Sequence, residues 1–295
     1  MDGAQRIALG SIMVGLLVLG LKALAFWLTG SVALYSDAAE SVVNVAAAIA
    51  AFLAVRLSAA PPDREHPYGH HKAEYISAVV EGALIIVAAV AILHEAWGAF
   101  RHPREVDLTP LGVGANVAAS VINGLWCMLL FRQGRALRSP ALVADGKHLL
   151  TDVVSSAGVL VGVGAVAATG IQWLDPALAC LVALNVLWSG AKLVKTSVGG
   201  LMDEAADPLT LEKIRSAIAS SAEGAIEAHD LRTRHAGRLT FLDFHLVVPG
   251  DMSVTAAHDI CDRIERALHE ADDDMVVTIH VEPDSKAKHA GIVVL

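Results

Sequence analysis

The sequence predicts an α-helical membrane protein of six transmembrane helices followed by a small α/β domain. Three observations predict it. Of the 295 residues, 55% are hydrophobic and only 18% charged, with a mean hydropathy of +0.54, too apolar for a soluble protein. Apolar runs at about 8–30, 33–58, 73–99, 110–131, 143–169 and 174–198 can each cross a hydrocarbon core of about 30 Å, which takes about 20 helical residues. From Asp203 to Leu295 the character changes: 18 Asp and Glu stand against 9 Lys and Arg, so this tail carries the whole net charge of −9. The expected domains are therefore a six-span region, 1–202, and a C-terminal domain, 203–295.

Basic residues orient the spans. Arg6, Arg56, Arg64, Arg132, Arg135, Arg138, Lys192 and Lys195 fall on the side shared by both termini, and only Arg101 and Arg104 flank the opposite loops. The excess of Lys and Arg marks the cytoplasmic side, so both termini and the tail are expected in the cytoplasm. The first run is too long, and lacks the cleavage pattern, for a removed signal peptide. An acidic tail argues against nucleic acid as a partner. Cys127, Cys180 and Cys261 lie far apart without C-x-x-C spacing and are read as packing residues.

Span one is apolar except for Lys22, which could snorkel or pair. Span two opens Ser36-Asp37-Ala38-Ala39-Glu40-Ser41-Val42-Val43-Asn44. Glu40 and Asn44 are four residues apart on one helical face, with Asp37 a turn earlier. Span five opens Asp145-Gly146-Lys147-His148-Leu149-Leu150-Thr151-Asp152, which places His148 and Asp152 on one face as well. Ionisable groups in hydrocarbon are expensive and usually mark an ion or proton path. Imidazole nitrogen with carboxylate oxygen is also a ligand set for first-row transition metals. An interhelical hydrogen-bond cluster that fixes packing is the other reading of these pairs. Glu81 in span three reads as a helix-packing partner.

Between spans two and three, Pro61 to Glu74 holds His66, His70 and His71 among several carboxylates, either a second cation site or chance surface composition. The tail reads as helix, strand, strand, helix, strand. The helices run from Pro208 to about Ser221 and from Ser253, a candidate N-cap, to about Glu270. The strands are Ile226–Arg234 and Leu239–Val248, joined by a hairpin turn over 235–238, and Met275–Val281. On the last strand His280 and Glu282 share a face.

Four strings carry a family resemblance: Ser36-Asp37-x-x-Glu40-x-x-x-Asn44, His66-Pro67-Tyr68-Gly69-His70-His71-Lys72-Ala73-Glu74, His148-x-x-x-Asp152 and His229-Asp230-Leu231-Arg232-Thr233-Arg234. In this order and spacing the chain resembles the cation diffusion facilitators, and within them the bacterial ferrous-iron and zinc efflux type. The resemblance covers nearly the whole chain. It implies a ferredoxin-like or metallochaperone-like C-terminal domain, a homodimer in the lipid bilayer of the cell (inner) membrane, and export of a divalent metal in exchange for protons. That is a secondary active transporter, not an enzyme.

By position, the resemblance assigns a transport site to Glu40, Asn44, His148 and Asp152, with Asp37 nearby. It assigns a loop metal site to Asp63, His66 and His70, and a cytoplasmic metal site to His229, His245, His258, His280 and Glu282. Lys72 and Asp203 take the positions of an ion pair that holds two protomers together. Asn44 departs from the zinc-type pattern, which has aspartate there. Zn²⁺ is the expected cargo and regulatory ion, and an amide oxygen in the set admits Fe²⁺, Mn²⁺ or Co²⁺. Because ligands must be deprotonated to bind metal, binding releases protons, and histidine titrates near neutrality. A metal-gated channel or a metal-sensing membrane protein would share these sites without proton-coupled turnover.

Overall fold

A computed structural model describes residues 2–29, 32–101, 110–171, 173–289 and 291–293. The chain divides into two compact units, Met1–Val198 and Gly199–Leu295.

The described residues of the first unit form six long helices, the last running three residues past its end: α1 (Gly3–Thr29), α2 (Val32–Ser58), α3 (Ala73–Arg101), α4 (Pro110–Ala136), α5 (Pro140–Thr169) and α6 (Leu174–Leu201). The bundle is inverted relative to a soluble protein. Trp27, Leu17, Val87, Met128, Leu181 and Trp188 are exposed, and small residues such as Ala8, Ala78, Ala89, Ala141 and Ala144 are buried. Lipid drives no hydrophobic collapse between helices, so close packing of small residues must hold them. Gly82 of α3 and Gly190 of α6 show how tightly: a Cβ on Gly82 would stand 2.7 Å from Val194, and one on Gly190 3.1 Å from the Gly82 carbonyl oxygen.

Among the described residues, α1, α2, α3, α4 and α6 are long and apolar enough to cross a membrane. The sequence predicts six such spans. Helix α5, 30 residues long, carries Asp145, Lys147, His148 and Asp152 in its first half, and side chains of its second half lie outside the described residues, so the sixth span falls there. It packs against α4 and α3, and also meets α2. A buried carboxylate fixes its start. Glu74, 7% exposed, accepts hydrogen bonds from the Ser58 hydroxyl at 2.7 Å, from the Ser139 hydroxyl, and from the Ala141 amide at 3.4 Å. One side chain thereby ties the end of α2 and the start of α3 to the N-terminus of α5, where an anion also suits the helix dipole.

The second unit runs α7 (Pro208–Ser221), β1 (Glu227–Ala236), β2 (Leu239–Val248), α8 (Val254–Ala271), β3 (Met275–Pro283), a 3₁₀ turn (Asp284–Lys286) and β4 (Ile292–Val293). The sheet order is β3-β2-β1-β4, with β1 antiparallel to β2 and β4, and β2 parallel to β3 through the α8 crossover. Asp207 caps α7 by accepting from the Leu209 and Thr210 amides, and the Ser253 hydroxyl caps α8 through Ala256. Apolar residues at 257, 260, 261, 264 and 268 form the buried stripe of α8. Period two on β2 turns Leu242, Phe244, Leu246 and Val248 into the same core, where Ile214 and Ile218 of α7 join them. The odd-numbered residues of β2, His245 among them, therefore face the other side. The hairpin turn is tighter than the sequence predicts: the strands run to Ala236 and from Leu239, and Gly237 at φ +58° lets two residues close it. The two-residue strand β4 had no sequence signal.

Candidate metal-transport site

In the first unit, the expected pairs on α2 and α5 meet through an amide. Asn44 Nδ2 donates to Asp152 Oδ2 at 2.6 Å, and His148 Nε2 lies 3.0 Å from Asn44 Oδ1. An amide oxygen only accepts, so in this arrangement His148 Nε2 carries a hydrogen. His148 is 6% exposed, and Asp152 sits one turn further along the same face of α5. Without a metal, the three groups satisfy one another. A cation that takes His148 through Nε2 must displace the hydrogen there and break the bond to Asn44. The side chains of Glu40 and Asp37 lie outside the described residues, although both positions belong to α2. Lys22 of α1 is buried near this group, close enough for its charge to act on Asp152. From sequence it had no assigned role.

The loop between α2 and α3 gathers Asp63, His66 and His70, with one ligand atom from each all within 4.8 Å. Asp63 Oδ1 lies 3.3 Å from His66 Nδ1, and Oδ2 lies 3.4 Å from His70 Nε2. Ligands about 2.0–2.1 Å from a tetrahedral zinc stand roughly 3.3–3.4 Å apart, so these spacings suit one small cation. The turn is local. The His66 and Glu65 amides donate to Asp63 Oδ1 at 2.6 and 2.9 Å, and the His66 amide above all holds that carboxyl below the usual aspartate range.

In the second unit, strand register builds a row. His229 of β1 pairs with His245 of β2, which pairs with His280 of β3, on the sheet face opposite the helices. Glu282 reaches back under all three: 3.3 Å from His229 Nε2, 3.4 Å from His245 Nδ1 and 3.7 Å from His280 Nε2. Behind His229, the buried Glu227 holds Nδ1 at 2.8 Å while accepting from the Lys288 and His289 amides at 2.9 and 2.8 Å. Those amides, Lys288 first, keep the Glu227 carboxyl below the usual glutamate range. With Nδ1 committed, His229 Nε2 is a buried lone pair with no hydrogen-bond partner, aimed at Glu282. This is how a carboxylate behind a ligating histidine fixes its tautomer.

Asp230 also joins this group, within 4.8 Å of His229 and His245. A bulge between His229 and Arg232 turns it there at φ +53°, and Lys288 Nζ donates to it at 2.6 Å. His258 stands apart on the exposed face of α8, 3.5 Å from Asp262. Lys72 lies just before α3 in the first unit. Asp203 lies in the second, 3.5 Å from Arg234.

Residues 8–202 match the cation efflux transmembrane domain, and residues 206–284 match the cytoplasmic domain of cation efflux proteins. The chain belongs to the cation efflux family, the cation diffusion facilitators. An uncharacterized transporter of Synechocystis is 44% identical over 280 residues, 95% of this chain and 90% of that protein. The cation-efflux pump FieF of Shewanella oneidensis is 31% identical over 273 residues, 92% of each chain. Among solved structures, the zinc form of CzrB is 48% identical, with a TM-score of 0.28 over 29% of this chain and 98% of that one. The metal-bound C-terminal domain of CzcD from Thermotoga maritima is 28% identical, with a TM-score of 0.26 over 28% of this chain and all of that one. This facilitator is thus a multi-pass membrane protein of divalent metal efflux, a transporter rather than an enzyme.

Sequence reading passed over Glu227 and Asp230 as site residues. Glu227 had a usable signal, since i and i+2 on a strand share a face and Glu227 stands in that relation to His229. Asp230 stood in a quoted string, but its turn toward the histidines comes from a bulge in which a non-glycine residue takes a left-handed φ.

Proposed function

We propose that this facilitator exports a divalent first-row transition metal, Zn²⁺ first among Fe²⁺, Mn²⁺ and Co²⁺, from the cytoplasm in exchange for protons, as a homodimer with both termini cytoplasmic. The observation that carries this reading is the Asn44 amide, held between His148 and Asp152 inside an apolar helical bundle. Packing alone would not require an imidazole, a carboxylate and an amide together in hydrocarbon, where each is costly. Their bonds to one another leave a metal-free state that can persist between turnovers.

The cargo replaces these internal bonds. In the exchange-competent state His148 is protonated on both ring nitrogens; it releases the Nε2 proton, keeps the Nδ1 hydrogen and turns a lone pair to the ion, Asp152 turns a carboxylate oxygen, and Asn44 offers its amide oxygen, with Glu40 as the fourth ligand. Reprotonation of His148 on the far side ejects the ion, which makes the cycle an antiport. Alternation between the two sides follows if α2 and α5 tilt together while the four groups stay in register.

We assign cation binding at the cytoplasmic row to His229, His245, His280 and Glu282, and at the loop to Asp63, His66 and His70. Occupancy of either would bias transport only through unequal affinity for the inward and outward states. Purified full-length protein in liposomes tests the function: Zn²⁺ uptake should accelerate when the lumen is made acidic. Uptake indifferent to the pH gradient would favour a channel.

A further inference from the structure

Among the described residues of the helical unit, Glu81 of α3 and Asp145 of α5 are the most deeply buried acids, 2% and 4% exposed. Among the described residues, both Glu81 oxygens and Asp145 Oδ2 lack a hydrogen-bond partner. Each lies within reach of the other's charge. Their helix neighbours Ala78, Ile85 and Ala144 belong to a buried apolar cluster completed by Val186 and Leu193 of α6. The Ser11 hydroxyl of α1, which accepts from the Trp126 indole N–H at 2.8 Å, stands close to Asp145. The remaining ionisable groups that face the pair are Cys127 of α4, whose thiol donates to the Gly146 carbonyl, and His148 and Asp152 further along α5.

Two carboxylates cannot both be ionised in such surroundings without a counter-ion, and helix packing alone would be better served by apolar side chains. The pair is also placed to matter. Asp145 precedes His148 by three residues on the same face of α5, about 4.5 Å along the axis. We propose that Glu81 and Asp145 hold an exchangeable proton in the metal-free protein and release it when a divalent cation settles at His148, which makes Glu81 a proton-carrying residue of the transport cycle. The second half rests on the transport reading of the His148 site. The balance is simple: the pair loses one proton to water and gains one negative charge, set against the two positive charges of the ion a turn away. A proton suits this pair better than a metal, because Glu81 and Asp145 together offer two carboxyls and no nitrogen or sulfur ligand beyond the committed Cys127 thiol.

Infrared difference spectroscopy on full-length, metal-free protein in lipid tests this, with Zn²⁺ alone as the probe. Wild type should show the C=O stretch of a protonated carboxylic acid at neutral pH, shifted in D₂O and diminished on adding Zn²⁺. Glu81→Gln should lose that band and release about one proton fewer per Zn²⁺ bound, with Zn²⁺ still binding at His148. Asp145→Asn serves as the second variant and should abolish the Zn²⁺-dependent change. A band that survives in Glu81→Gln, or its absence from wild type, overturns the proposal. So would loss of a Zn²⁺-binding step in Glu81→Gln without any such band, since the pair would then be a cation site. If the band behaves as expected but no Zn²⁺ crosses the bilayer, the transport reading fails and the proton-holding pair stands.

Discussion

Exchanging Asn44 for aspartate probes the amide that separates this site from the zinc-type pattern. In the metal-free protein the amide donates to Asp152 at 2.6 Å and accepts from His148 at 3.0 Å. Asn44→Asp keeps size and acceptor but sets a second anion against Asp152. A hydrogen bond to a charged group contributes about 1.5–3 kcal/mol, which the metal-free state loses. Two unit charges about 4 Å apart add a repulsion of about 4 kcal/mol at an effective dielectric of about 20, unless a proton or cation relieves it. The metal-bound state suffers neither loss, because both carboxylates then face the ion. Taking only the lost hydrogen bond, at about 1.4 kcal/mol per tenfold, Zn²⁺ should bind roughly 10- to 100-fold more tightly. The affinity should also fall more steeply with acid, since one more carboxylate must stay ionised. Calorimetric titration of full-length protein, with the other two clusters removed by Asp63→Ala and His229→Ala, reads this directly. An affinity that is unchanged or weaker would refute the role given to the amide.

Three further outcomes follow from the other elements. Glu282→Gln should cost the cytoplasmic row most of its Zn²⁺ affinity, because this carboxylate lies under three imidazoles, and metal-binding titration of the full-length protein checks it. At the loop, the depressed Asp63 carboxyl makes stabilisation of the turn complete above the ordinary aspartate value, and it is lost as pH falls through the depressed one. Histidine NMR signals of the loop should therefore report a closed turn at mildly acidic pH, and Asp63→Asn should open it already at neutral pH. Ile264→Ala, at a fully buried position between α8 and the sheet, should destabilise the second unit by about 2–5 kcal/mol, seen as earlier loss of its β-sheet signal on heating.

How much of this was legible depended on whether the cause was local. Runs of apolar residues announced the helices because crossing hydrocarbon demands continuous apolar sequence. The α/β tail was legible from period two on β2 and the 3.6 period of α8. Of the candidate transport site, i,i+4 spacing put His148 and Asp152 on one face, but nothing local says that Asn44 bridges them or that Lys22 lies nearby. Those are tertiary facts. The same holds for Glu74, whose place in a recognisable string gave no hint that it fastens the start of α5. The His229–His245–His280 row needs strand register, which the hairpin supplies for the first pair and the α8 crossover for the second. His258 was grouped with that row by position, and it stands on a different layer of the domain.

The central claim is that metal and proton exchange through one site. Simultaneous measurement of Zn²⁺ and proton flux in liposomes holding wild type or His148→Ala tests it most directly. The account predicts opposed fluxes in fixed proportion for wild type, and neither for the variant. Zn²⁺ flux without proportional proton counter-flow, or coupled fluxes that persist in His148→Ala, would contradict it.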